Sequence, residues 1–376
     1  MTSPALNAML PAGFDHGHYV PIILTRQGER LALRTLDGAI KAQCTPLFVL
    51  HPVPRDLGTG GPQYSVDEHV RKVPSQLVRD WGTRAAFIDL RHIDPEARMS
   101  DGSHPVEWLV SASADAGLTL APAVSAGRDD AYREAAFDVA QQVGTSVCFR
   151  LPPSEWSDLG TTTGAGRLLA LLHESGLPPD VIHVILDMEG DVSATAGVSA
   201  AALRDALTNL PLAAQWPSVM VAGTSMPAVT SEVGADNAVE LARVEWRVWR
   251  LLVDEGDLHR LPAFGDYCVQ HPDPMSDFDP RYMQSAAQLR YTIPQSWYVA
   301  RGRGVRDYGH EQVRDLANQI LDHPQYAGRD FSWGDTWLAE CADGSCSAGN
   351  QMVWRKVTTN HHITFLVRQI STLVGA

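Results

Sequence analysis

The chain has 376 residues, 44% hydrophobic and 20% charged, enough to bury a large core with no compositional break into comparable halves. Its formal net charge of −14, from 30 basic and 44 acidic residues, argues against a surface built to neutralise phosphate backbones, so dedicated nucleic-acid binding is not expected. Five scattered cysteines are too few for a disulfide framework, the first eighteen residues lack signal-peptide features, and no run approaches the ~18 apolar residues of a membrane span, so a cytoplasmic protein without membrane association is expected.

After a tail over residues 1–18, short apolar runs recur, each followed by a helix-like stretch: Tyr19–Leu24, Thr45–Leu50, Ala85–Leu90, Leu118–Val124, Ser146–Leu151, Val181–Leu186, Ser218–Gly223 and Leu261–Val269. Continuous rather than alternating apolar character suits strands buried on both faces, as in a parallel sheet. Between them, Ser65 and Glu68 form a capping-box pattern ahead of Val66, Val70, Val73, Leu77 and Trp81, with Pro74 predicting a kink. Pro105 suits the first turn of a helix, Leu203, Leu207 and Leu210 make an apolar stripe, and a longer helix is predicted over Asp236–Val253. Eight such units predict an α/β fold, a TIM-like (β/α)8 barrel over residues 19–289. A doubly wound open sheet is the runner-up, disfavoured because no glycine-rich dinucleotide fingerprint follows an early strand. Residues 290–376 form a C-terminal appendage: a hairpin around Pro294, an amphipathic helix Glu311–Leu321 and a tail from Phe331, packed on the barrel. Periodicity leaves open whether this hairpin supplies the last barrel strand.

In such a barrel, reacting groups sit at the carboxyl ends of strands and on the loops that follow. The third strand ends FIDLRHID, offering Asp89, Arg91, His92 and Asp94; the fifth offers Arg150; the sixth ends VILDMEGD, offering Asp187, Glu189 and Asp191; the eighth carries Asp266 and Tyr267, with His271 beyond. Asp89 and Asp187 are expected to share the rim as an acid/base pair or as holders of a divalent cation, with His92 as a further catalytic group and Arg150, Asp266 and Tyr267 as substrate contacts. The alternative is a buried ion-pair layer closing the barrel. Glu189, Asp191 and Asp94 read as solvated loop positions.

ARGRGVR sets Arg301, Arg303 and Arg306 among glycines, where guanidinium and amide groups would approach a phosphate together; the alternative is a solvated loop. Cys341 and Cys346 with His361 and His362 are zinc-ligand types at a spacing foreign to common structural sites, so no metal is assigned and the cofactor is unknown. His361 and His362 either pack against Trp333 or Trp354, or act as acid/base groups beside Trp333 as a substrate contact if the tail folds over the mouth. Gly223–Thr224–Ser225 is not a nucleophile elbow, Cys148 and Cys268 read as buried thiols, His16 and His18 as solvated, and Trp246 and Trp249 as core.

The stretch FSWGDTWLAECADGSCSAGNQMVWRKVTTNHHITFLV, above all Ser332–Asp335, Gly349–Asn350, Trp354 and Thr359–Ile363, together with the opening YVPIILTRQGERLAL, resembles the bacteriophage-type beta-protein family found in T-even phages and bacteria. The resemblance covers most of the chain and implies a setting of phage or mobile-element conflict; it carries no catalytic residue. Two functions stand side by side. One is a hydrolase or phosphodiesterase acting on a phosphorylated or nucleotide-like small anionic molecule. The other is a non-catalytic barrel that binds a protein partner or phage component, with the surface around Trp333, Trp354 and the histidines as its contact face.

Overall fold

The computed structural model describes residues 14–375 except 57, 191, 193–194, 231–232 and 274–284; Asp191 and most of the leading tail therefore lie outside the described residues. Eight parallel strands close a barrel in the order β1 (Tyr19–Leu24), β2 (Leu47–Val49), β3 (Ala86–Asp89), β4 (Leu120–Val124), β5 (Val147–Leu151), β6 (Ile182–Asp187), β7 (Val219–Gly223) and β9 (Ala263–Asp266). All eight expected runs supply a barrel strand. Closure is made by β1 against β9, with Val20 opposite Gly265 and Pro21 opposite Asp266.

The hairpin does not close the barrel. β10 (Ala286–Ile293) and β11 (Ser296–Gly304) turn at Pro294–Gln295 and pair with β8 (Asn237–Ala242) as a separate antiparallel sheet. The segment 237–242 corrects the expected long helix, which begins only at Val244 and runs to Asp254. The physical reason is visible in Val239-Glu240-Leu241: Val239 and Leu241 pack with Val233, Met226, Trp297 and Val299, and that two-residue alternation belongs to a strand. Asp236, at φ 57, turns the chain into β8.

The capping box forms as expected, with Ser65 Oγ accepting from Glu68 N at 3.1 Å and Glu68 Oε2 accepting from Ser65 N at 3.0 Å. Pro74 breaks the helix rather than kinking it, because a proline fits a first turn better than an interior: helices Val66–Arg71 and Val73–Trp81 follow one another. Along the barrel strands side chains alternate. Val20, Ile22, Phe87, Ile185 and Met220 fill the interior, where Phe14 also packs, while Tyr19, Ile23, Phe264 and Cys268 face the helices. His18, expected in solvent, is instead buried at 5% exposure with Nε2 2.9 Å from Thr45 Oγ1, because Phe14 draws the preceding chain inward and its ring lies 4.3 Å from the imidazole.

The closing helix Gln351–Val374 packs on the helix Gln27–Arg34, on β1 and on β10. Ser332 caps the helix Trp333–Asp343. At Gly334 an added Cβ would stand 2.4 Å from the Val357 carbonyl oxygen, so only glycine permits this approach of two helices. No helix among the described residues is long and apolar enough to cross a membrane.

Candidate functional site

At the carboxyl ends of β3, β6 and β9 the chain repeats one device. Asp89, Asp187 and Asp266 each accept the backbone N–H two residues on: Arg91 N at 2.8 Å, Glu189 N at 2.8 Å and Cys268 N at 2.9 Å. Such Asx bends fix the exit of each strand. Glu189 (φ 53) and Cys268 (φ 55) thereby stand in the left-handed region, uncommon without glycine.

Asp89 and Asp187 face inward and meet Arg150 from β5. Arg150 donates through Nη1 to Asp89 Oδ2 at 2.7 Å, through Nε to Asp187 Oδ2 at 2.8 Å, and through Nη2 to the Tyr267 hydroxyl at 2.6 Å. Tyr267 in turn donates to Asp187 Oδ2 at 2.6 Å. All four are buried. Burial alone would weaken the guanidinium, yet Tyr267, Asp187 and Asp89 around it push its pKa well above the usual value. Burial likewise opposes ionisation of Asp89, and Arg150, Arg128 and Arg91 outweigh it, holding that carboxyl below its ordinary value. Burial raises the Tyr267 hydroxyl well above its own. The layer is therefore a mutually satisfied, ion-paired floor.

Above it lies a cleft of about 210 Å³ lined by Asp89, Arg91, Ser125, Arg128, Arg150, Asp187 and Glu189. Arg128 reaches Asp89 Oδ1 at 3.3 Å with 20% of its side chain exposed, and Arg91 pairs with Glu189 with 31% exposed. Glu189, expected in solvent, is thus a paired wall of the cleft because Arg91 stands opposite it. Arg128 was not legible as a site residue; its one signal is its place in the loop after β4.

The other expected residues lie elsewhere. His92 is half-buried beside Arg91 with Nε2 unpartnered, and burial followed by Arg91 lowers its pKa to about 4. Asp266 points outward from the barrel wall to His362, whose Nε2 lies 3.0 and 3.1 Å from its carboxylate oxygens. His361 is fully buried, with Nδ1 2.8 Å from Asp335 Oδ2 and Nε2 2.9 Å from the Thr292 carbonyl. Tyr291 and Ser332 also donate to Asp335, at 2.7 and 2.6 Å. Asn360 accepts from Gly334 N at 3.0 Å. The S-W-G-D and T-N-H-H-I segments are thus two halves of one buried clamp holding the last helix. Trp333 is half-buried under Lys356, 3.5 Å from its ring, and Trp354 is buried, donating to the Ala348 carbonyl at 2.7 Å. Arg301 donates to the Val233 carbonyl at 2.6 Å and Arg303 pairs with Asp236, both on β11. Both ring nitrogens of both histidines are engaged without Cys341 or Cys346. The group of possible metal donors found among the described residues is Asp266, Cys268 and His362.

The family model described as Beta protein matches residues 19–368. None of the curated proteins matches the chain. Among solved structures, a type I 3-dehydroquinate dehydratase from Clostridium difficile is similar at 10% identity and TM-score 0.39, over 70% of this chain and 89% of that one. The tryptophan synthase alpha-subunit of Pyrococcus furiosus gives 12% and 0.39 over 68% and 90%. Triosephosphate isomerase from Bartonella henselae gives 12% and 0.34 over 66% and 91%.

Proposed function

This chain belongs to the Beta protein family, and from that premise we propose that it binds a small anionic molecule, phosphorylated or nucleotide-like, in the cleft at the mouth of its barrel. The observation that carries this reading is the pair of partly exposed guanidinium groups, Arg91 and Arg128, on a cleft of about 210 Å³ whose floor holds the buried Arg150. Arg128 makes the longest ion pair of the layer, 3.3 Å to Asp89, and is the group an entering anion meets at least cost. Asp89, Asp187 and Tyr267 act by holding Arg150 rather than by touching ligand.

The finer proposal is hydrolysis, as a hydrolase or phosphodiesterase of a cytoplasmic phage-conflict system. It is supported by Glu189, a carboxylate on the cleft wall at φ 53. The complete mutual pairing of Asp89, Arg150 and Asp187 favours the second reading, a barrel that binds without catalysis and regulates a partner. A thermal-shift panel of inorganic phosphate, pyrophosphate and nucleoside mono- and cyclic phosphates, with phosphorus NMR of the same mixtures, tests both. Stabilisation is expected from at least one of them. Turnover supports hydrolysis, stabilisation without turnover supports the second reading, and no response to any anion overturns the proposal.

A further inference from the structure

Outside the barrel interior, a second buried cluster joins the wall to the closing helix. Asp266 Oδ1 accepts from the Tyr19 hydroxyl at 2.5 Å and from Cys268 N at 2.9 Å. His362 presents Nε2 to the same carboxylate, while its Nδ1 lies 2.7 Å from Thr292 Oγ1. The ligand atoms of Asp266, Cys268 and His362 all lie within 4.8 Å of one another, and all three residues are buried. The left-handed turn at Cys268 sets its sulfur 3.7 Å from the Tyr19 hydroxyl.

A second observation points to a ligand here. Cys268 lines a cavity of about 10 Å³, room for roughly one water, together with Glu29 and Thr359. Both carboxylate oxygens of Glu29 and the Thr359 hydroxyl are buried without a hydrogen-bond partner, Arg355 Nε standing 3.5 Å from Glu29 Oε1. Buried polar atoms left this way are costly unless something fills the space between them.

We propose that Asp266, Cys268 and His362 hold a divalent ion of the zinc class through one carboxylate oxygen, the thiolate and Nε2, with a water in the adjoining cavity, held by Glu29 and Thr359, as the fourth ligand. A mixed sulfur, nitrogen and oxygen donor set suits zinc and disfavours magnesium and calcium. Charges balance: carboxylate and thiolate together cancel the two positive charges of the ion. On binding, the thiol proton leaves to solvent and the imidazole carries its proton on Nδ1, where Thr292 Oγ1 accepts it and orients the ring. The ion ties the helix Gln351–Val374 to β9, so its role is to fix the closing helix on the barrel. The three protein ligands lie outside the anion cleft, and Arg91 and Arg150 line both that cleft and the adjoining cavity.

The test is metal analysis of the purified full chain, followed by titration of the metal-stripped chain with cobalt(II). About one equivalent of zinc per chain is expected, and cobalt should give a thiolate-to-metal charge-transfer band that Cys268→Ser and His362→Gln abolish and Cys346→Ser keeps. A stripped chain that is folded by circular dichroism yet gives no band overturns the proposal, as does a band undiminished in Cys268→Ser. The wild-type titration decides the matter if a variant fails to fold.

Discussion

Arg91 on one side of the barrel mouth is paired with Glu189 on the other, and each stands two residues past an aspartate that holds its backbone N–H at 2.8 Å. The strand ends that carry them, β3 and β6, are not neighbours in the barrel. The pair therefore spans the mouth, and Arg91 lines both the cleft and the small cavity next to Cys268. Glu189 competes with any bound anion for the Arg91 guanidinium. Glu189→Gln removes that competitor, and the affinity for pyrophosphate should rise roughly 3- to 10-fold, measured by calorimetry; an unchanged or weaker affinity would place the anion elsewhere.

Arg150 is the sole buried cation donating to both Asp89 and Asp187 among the described residues. Arg150→Met removes the buried cation that Asp89 and Asp187 share, leaving Asp89 to the partly exposed Arg128 and Asp187 to the Tyr267 hydroxyl, and should cost about 3–5 kcal/mol of stability in urea unfolding. The triple variant Arg150→Met, Asp89→Asn, Asp187→Asn should recover much of that loss. If the single variant unfolds at the wild-type midpoint, the layer is not the electrostatic unit described here.

Gly334 sits where its helix meets the Val357 carbonyl, with space for no side chain. Gly334→Ala should destabilise the chain by about 1–3 kcal/mol, against the ordinary helix preference for alanine. Thermal denaturation reads the sign: a stabilised variant would show that the two helices have room to part.

The pH dependence follows from buried histidines. Burial lowers His18 to about 4 and, with Arg260 adding to it, His183 to about 3, from an unfolded value of 6.5. Below 6.5 the unfolded chain takes up protons that the folded chain refuses, so stability falls with pH. This contribution is complete above about pH 6.5 and is lost progressively as the pH drops toward 4 for His18 and 3 for His183. Melting temperatures should decline across that window, and His183→Gln should flatten the slope; a slope identical in the variant would remove His183 from the account.

The barrel was legible because each of its strands is a continuous apolar run, buried on both faces by the interior and by helices. β8 was not, since Val239 and Ala242 satisfy a helical spacing as well as a strand partner does, and only β11 alongside decides between them. Asp89, Arg150 and Asp187 could be picked out because charges at strand ends need partners, and they do meet. Which partner each takes is a three-dimensional fact. Nothing in the sequence says that Arg128 reaches Asp89, that Asp266 faces outward to His362, or that His361 spends both nitrogens on Asp335 and Thr292. The irregular spacing of S-W-G-D and T-N-H-H-I reflects contacts between two helices, a glycine approach and a buried histidine–aspartate pair, rather than one local motif.

The most direct test of the anion cleft is a calorimetric titration of the wild-type chain and of Arg128→Gln with pyrophosphate at fixed low salt. Loss of one charge-assisted contact, worth about 1.5–3 kcal/mol, should weaken binding roughly 10- to 100-fold in the variant while its melting temperature stays near that of the wild type. Equal affinity in the two proteins, or no binding by the wild type, would contradict the account.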